Sequence, residues 1–222
     1  MITVHHLENS RSQRVLWLLE ELGLPYRVER YERDRKTMLA PAKLLKVHPL
    51  GKSPVITDEG LTVAETGAIV EYLVDKAGGA LRPAPGTPEF LRYRYWLHFA
   101  EGSAMPPLLM KLVFDRVASA PVPFFVKPVV KGIASKVVGD FVMPNIVRQL
   151  DFMEAELDGR KWFCGDDFSA ADVMMSFPLE AAAQRAGLDA SRPRLHALVK
   201  RMHARQGYRR ALERGGPYSF AD

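Results

Sequence analysis

The chain carries a single cysteine, Cys164, and no C-x-x-C pair. A disulfide framework and a zinc ribbon are therefore excluded. The lone thiol in Trp162-Phe163-Cys164-Gly165 reads first as a buried core residue and only second as a nucleophile. Long apolar runs are missing as well: none approaches the roughly 18 to 20 residues that a membrane-spanning helix needs. The opening MITVHHLENS has no basic segment followed by an apolar one, so the expectation is a cytoplasmic chain without a secretory signal. No G-x-S-x-G, P-loop or dinucleotide fingerprint occurs, and the corresponding hydrolase, phosphoryl-transfer and nicotinamide signatures are absent. The six histidines offer no metal-ligating spacing. His5 and His6 point to opposite faces of a strand, and His196 with His203 supply only two ligands, so no metal is expected.

What is present is ordinary globular material. With 47% hydrophobic and 26% charged residues in 222, the chain can bury one large core or two modest ones. Lys and Arg number 31 against 26 Asp and Glu, and the surplus of +5 raises nucleic acid or an anionic membrane as partners. The signs mostly alternate, however, as in Arg27, Glu29, Arg30, Glu32, Arg33, Asp34, which describes a solvated face; neither nucleic acid nor stable membrane insertion is expected. The denser set from Lys200 to Arg214 is a solvated terminal helix or a field that steers an anionic substrate. Lys127, Lys131 and Lys136, among the apolar residues 122–138, lie on a membrane surface or snorkel from a covering helix.

Periodicity divides the chain. Ile2 to His5 alternates as a strand; Val15, Leu18, Leu19 and Leu22 stripe a helix that stops at Gly23 and Pro25. Tyr26–Arg30 alternates again, and residues 34–45 are polar and helix-compatible. Residues 54–57 and 61–64 flank Asp58-Glu59-Gly60 as a hairpin, and Ala68, Ile69, Tyr72 and Leu73 stripe a further helix. Residues 1–78 thus spell a β-α-β-α-β-β-α domain. Residues 79–87, GALRPAPGT, have linker chemistry, and 88–222 are helical throughout, with Pro106-Pro107 as an expected kink or break.

Several short motifs carry chemistry and also admit a plain structural reading. Ser169-Ala170-Ala171-Asp172 is a capping box with Asp in place of Glu. Ser10 and Ser12 precede the first apolar helix; either is an N-cap, and either can donate to an anion at the helix's positive end. Glu65-Thr66 opens another helix in the same way, with amides for a carboxylate and Glu65 for an ammonium. At Ser53-Pro54 a trans proline starting a strand is one reading. A cis bond that turns Val55 outward as an edge for an extended peptide is the other.

Four segments, SRSQRVLWLLEELGLPY at 10–26, HPLGKSPVI at 48–56, ETGAIVEYL at 65–73 and FSAAD at 168–172, together resemble the glutathione transferase family over nearly the whole chain. The likeness is to serine-type cytosolic members of bacterial and fungal kind. It implies a thioredoxin-like N-terminal domain with a cis proline at Pro54, an all-α C-terminal domain, a homodimer, glutathione as co-substrate and a role in detoxification. By position, Ser10, four residues before Arg14, is the implied thiol-activating hydroxyl, with Ser12 and Asn9 as alternatives. The Val55 backbone is implied to pair with the cysteinyl part of glutathione. Glu65 and Thr66 take the γ-glutamyl end, and Lys52 and Ser53, helped by His48, take the rest. Thr66 stands where serine is usual, and no tyrosine occupies the first strand-helix turn. The second domain is expected to hold a small hydrophobic electrophile against Met105, Leu108, Leu109 and Phe114. Two other readings stand beside conjugation: a glutathione-dependent disulfide or peroxide reductase on the same fold, and a noncatalytic ligand-binding module.

Overall fold

The computed structural model describes residues 1–221. Four strands, β1 (Ile2–Leu7), β2 (Tyr26–Tyr31), β3 (Val55–Asp58) and β4 (Leu61–Ala64), form one mixed sheet in the order β2-β1-β3-β4. β1 runs parallel to β2, Ile2 facing Tyr26, and antiparallel to β3, His5 facing Val55. β1 reaches Leu7, beyond the Ile2–His5 alternation, because His6 and Leu7 stay in register with Arg30 and Tyr31. All six of its residues are buried, which hides the two-residue period. The charges of β2 lie on an edge strand, where they discourage pairing with another chain. Glu59 and Gly60, both at positive φ (49° and 87°), make the tight hairpin between β3 and β4.

Helices α1 (Ser12–Leu22) and α2 (Thr66–Lys76) pack on this sheet through Val15, Leu18, Leu19, Ile69 and Leu73, all fully buried. Gly23, at φ 66°, ends α1 in a left-handed cap. The helix expected over 34–45 is replaced by turns and a 3₁₀-helix, Ala42–Lys46. Asp34 Oδ1 captures the N–H groups of Lys36 (3.0 Å) and Thr37 (2.7 Å), which competes with helix formation, and only Leu44 of the 3₁₀ turn is buried.

Beyond residue 87 the chain is helical: α3 (Pro88–Phe99), α4 (Met105–Ala118), α5 (Lys127–Val137), α6 (Met143–Glu156), α7 (Ala170–Arg185), α8 (Pro193–His203) and α9 (Gln206–Gly215). α3 runs into α4 through a π-helical turn at Ala100–Ala104, and α5 into α6 through another at Val138–Val142. Pro106 and Pro107 neither break nor end the helix. They follow the first widened turn, and the Ser103 carbonyl accepts a hydrogen bond from Gln149 of α6 at 2.9 Å. α5 buries Ala134 and exposes Val129 and Ile133, so it does not lie as a cover over the core. No helix among the described residues is long and apolar enough to cross a membrane.

α7 is the central helix, buried from Ala170 to Ala182. Its N-terminus is closed by the capping box: Asp172 accepts from the Ser169 N–H and hydroxyl (both 2.9 Å) and also from the Phe163 N–H (2.9 Å). α9 folds back onto α1. Arg205 makes a bidentate pair with Glu21 (2.8 Å twice) and Arg210 donates to Glu20 (2.7 Å). Part of the dense basic set near the C-terminus is thus an interhelix lock, while Lys200 and Arg209 stay on the solvated face.

Candidate active site

A cleft of about 490 Å³ opens where the end of β1 and the start of α1 face α4, α7 and the C-terminal tail. Ser10 lines it and is 5% exposed; Ser12 lies directly behind and is fully buried. The Ser10 oxygen accepts the Ser12 N–H at 3.2 Å, so Ser10 caps the backbone of α1, and the two hydroxyls are 2.7 Å apart. Ser12 Oγ in turn lies 2.8 Å from His6 Nδ1. His6 is buried, and burial, together with the nearby Arg30 guanidinium, pushes it down to about 4, so its ring is neutral near pH 7. Ser12 Oγ also lies 3.3 Å from the Leu7 carbonyl, so the two serines and His6 form one buried hydrogen-bonded cluster behind the cleft wall.

Two arginines, Arg14 buried and Arg11 half-buried, fix this corner. Arg14, 1% exposed, donates to the Met174 carbonyl (2.7 Å), to Thr66 Oγ1 (3.5 Å) and to Glu101 in the first π-helical turn. Arg11 reaches the same Glu101 at 3.3 Å. The widened turn thus aims a carboxylate at the first turn of α1, and Arg14 ties α1 to α7. Asn9, the third hydroxyl-or-amide candidate, stands at φ 48°, a conformation asparagine tolerates. Its Oδ1 accepts from the Ser219 N–H and hydroxyl (2.8 and 2.9 Å), so its oxygen holds the tail.

The Ser53-Pro54 bond is cis. Pro54 has no N–H for the sheet, and Ser53 supplies the missing partners on β1. Its hydroxyl donates to the His5 carbonyl at 2.8 Å and accepts the Leu7 N–H at 3.3 Å. The expected open edge at Val55 is corrected: Val55 is 1% exposed and paired on both sides, with His5 and with Ala64. β3 lies inside the sheet, which a reading of local sequence does not reveal. Ser53 precedes the strand, outside both ladders, and lines the cleft. It also lines a second hollow of about 440 Å³ with Pro41, Leu50 and exposed Lys52, and Arg11 and Arg33 belong to both. His48 is half-buried and its Nδ1 accepts the Leu50 N–H at 3.4 Å; it does not line either hollow. Glu65 opens α2 at φ 69° and ψ 125°, a backbone conformation costly for a side-chain-bearing residue, and its side chain is exposed; Thr66 beside it is buried.

Met105, Leu108 and Leu109 line the cleft, as does Leu112. Phe114 does not. At 100° per residue it projects about 180° from Met105 on α4, away from the stripe 105-108-109-112. Phe177, Ala181 and Arg185, spaced four apart along α7, close the opposite wall. That spacing was visible in the sequence, but the length of apolar α7 gave no sign of which face meets the cleft. Cys164 lies elsewhere, buried beside Ser169 Oγ at 3.4 Å, and burial pushes its thiol up to about 12, which makes it a poor nucleophile.

Family comparisons agree with this architecture. The family model for the glutathione S-transferase N-terminal domain matches residues 1–75, and that for the C-terminal domain matches 122–206. Glutathione S-transferase 3 of Schizosaccharomyces pombe is 38% identical over 183 residues, which cover 82% of this chain and 74% of that protein. The chain belongs to the glutathione S-transferase family. A crystal structure of a glutathione S-transferase from Actinobacillus pleuropneumoniae, 28% identical, superposes with a TM-score of 0.81 over 100% of this chain and 96% of its own. A disulfide-bond oxidoreductase of Escherichia coli, YfcG, is 24% identical over 92% of this transferase and 89% of its own length.

Proposed function

We propose that this transferase joins the sulfur of glutathione to an electrophilic carbon of a hydrophobic compound, with Ser10 as the hydroxyl that stabilises the thiolate. The observation that carries the reading is the position of Ser10: in the cleft wall, at the start of α1, held by the Ser12 amide and hydroxyl. A free thiol titrates near 8.5, so only a few per cent is thiolate at pH 7. Lowering that value by about two units requires roughly 2.7 kcal/mol of preference for the anion. A hydroxyl donating to a charged acceptor contributes about 1.5–3 kcal/mol, and the positive end of α1 adds about 0.3–1. The glutathione thiol loses its proton to solvent, the thiolate attacks the carbon, a C–S bond forms, and the leaving group departs with the electron pair.

Residues 1–78 hold glutathione in this reading. Lys52 and Ser53 take its carboxylate and backbone, and Glu65 and Thr66 its γ-glutamyl end. Residues 88–222 hold the electrophile on Met105, Leu108, Leu109 and Leu112, and two copies form a cytoplasmic dimer. Replacing Ser10 by Ala should lower kcat/KM for an aryl halide about 50- to 100-fold, while Ser12→Ala lowers it about three- to tenfold through loss of the supporting hydroxyl. Conjugation abolished by Ser12→Ala but untouched by Ser10→Ala would sink the assignment. The likeness to a disulfide-bond oxidoreductase favours a second reading, glutathione-dependent disulfide reduction. With Cys164 buried away from the cleft, that chemistry would use the thiols of glutathione itself, and oxidised glutathione in place of a thioether product would identify it.

A further inference from the structure

Three arginines converge on the electrophile side of the cleft from separate elements: Arg33 just after β2, Arg116 in the last turn of α4 and Arg185 in the last turn of α7. Basic residues at helix C-termini often serve only the helix dipole. Here they also line one cleft; burial lowers both Arg33 and Arg185, and the Arg116 charge lowers them further. Arg116 thus lies within Coulombic reach of each of the other two. None of them makes an ion pair with a carboxylate among the described residues. Glu8 lines the cleft, and its carboxylate raises Arg33 more than Arg116 lowers it; its Oε1 takes the Arg33 backbone N–H (2.7 Å), whereas Asp115 is held by Lys111 (2.7 Å). The fourth arginine on the lining, Arg11, is already paired with Glu101. Arg33 donates to the Met38 carbonyl (3.1 Å), and Arg185 stacks on Phe220 at 4.9 Å. Two of the three guanidiniums are thus held in place beside an apolar wall of Leu108, Leu112 and Phe177.

We propose that Arg33, Arg116 and Arg185 receive a carboxylate on the electrophilic co-substrate, whose apolar body lies on α4 and α7. The inference deepens the transferase reading and rests on it: the co-substrate is an amphiphile with one anionic end, such as an aryl or alkenyl carboxylate, and not a neutral hydrocarbon derivative. Planar guanidiniums match a carboxylate through paired hydrogen bonds, and an apolar wall keeps that pairing strong. Glutathione also carries carboxylates, and Arg33 borders the hollow that contains Lys52. Arg116 and Arg185 line the cleft alone, so they separate the two sources.

The test is calorimetric binding of 4-chloro-3-nitrobenzoate and of its neutral amide, 4-chloro-3-nitrobenzamide, to the full chain, with and without the unreactive S-methylglutathione. The carboxylate should bind about tenfold more tightly than the amide, a difference of about 1.4 kcal/mol, and the preference should weaken as salt rises. The double variant Arg116→Gln, Arg185→Gln should bring the ratio to within about twofold. Equal binding of the two compounds, no binding of the carboxylate, or a ratio that survives the double variant would overturn the proposal. So would a rise in KM for glutathione with no change in the ratio, which would assign the arginines to the tripeptide. Failure of the transferase reading looks different: neither compound yields a thioether, whatever the binding ratio.

Discussion

His6 sits behind the two serines, 2% exposed, and its depressed titration makes the site's corner sensitive to acid. The unfolded chain binds this proton near 6.5 and the folded one near 4, so the stabilisation is fully present above 6.5 and is lost as pH falls toward 4. The shift corresponds to about 3 kcal/mol. Urea unfolding of the wild type and His6→Gln across that window should give a difference that shrinks by about this amount as pH falls. A constant difference would show that His6 does not titrate in this way. At this scale the sequence was informative where chemistry is local: Ser10, Ser53 and Lys52 lie at the hollows because they flank element ends. Val55 was misjudged because sheet order decides what covers it, and that is not written in the neighbouring residues; Phe114 is out of phase with the stripe 105-108-109-112, a spacing the sequence itself displays.

Among the elements, α7 depends most on its first turn. Asp172 satisfies two buried backbone amides and one hydroxyl, and Asp172→Ala leaves them without a partner inside the core. The variant should lose about 3–4 kcal/mol, whereas Ser169→Ala should lose about 1–2, read as midpoint shifts at unchanged slope in denaturant. Equal small losses would mean that water replaces the carboxylate. The capping box was legible because its four-residue spacing is itself the structure. The π-helical turns were not: their composition matches an ordinary helix, and the first one shows through Glu101 reaching Arg11 and Arg14 and the Ser103 carbonyl accepting from Gln149. The polar stretch 34–45 misled for the reverse reason, since helix-compatible residues without an apolar stripe yield to the Asp34 turn.

Over the whole molecule, the cleft exists because α7 and α9 clamp α1 between the two halves. α9 approaches so closely that a methyl group on Gly207 would lie 2.6 Å from Glu21 Oε1. Gly207→Ala should therefore displace the Glu21 carboxylate from Arg205 and destabilise the fold by about 1–3 kcal/mol; thermal unfolding measures it, and an unchanged midpoint would show that Glu21 swings aside freely. The two-part organisation followed from the change in periodicity near residue 80. The interhelix pairs did not, because charges 184 residues apart, Glu21 and Arg205, share no local pattern. In the proposed reaction this cleft turns a thiol into a thiolate. An ultraviolet titration of glutathione against pH, with the protein in saturating excess, tests it most directly. The bound thiol should ionise about two units below 8.5 and return toward 8.5 with Ser10→Ala; a bound thiol that titrates at 8.5 in the wild type would contradict the account.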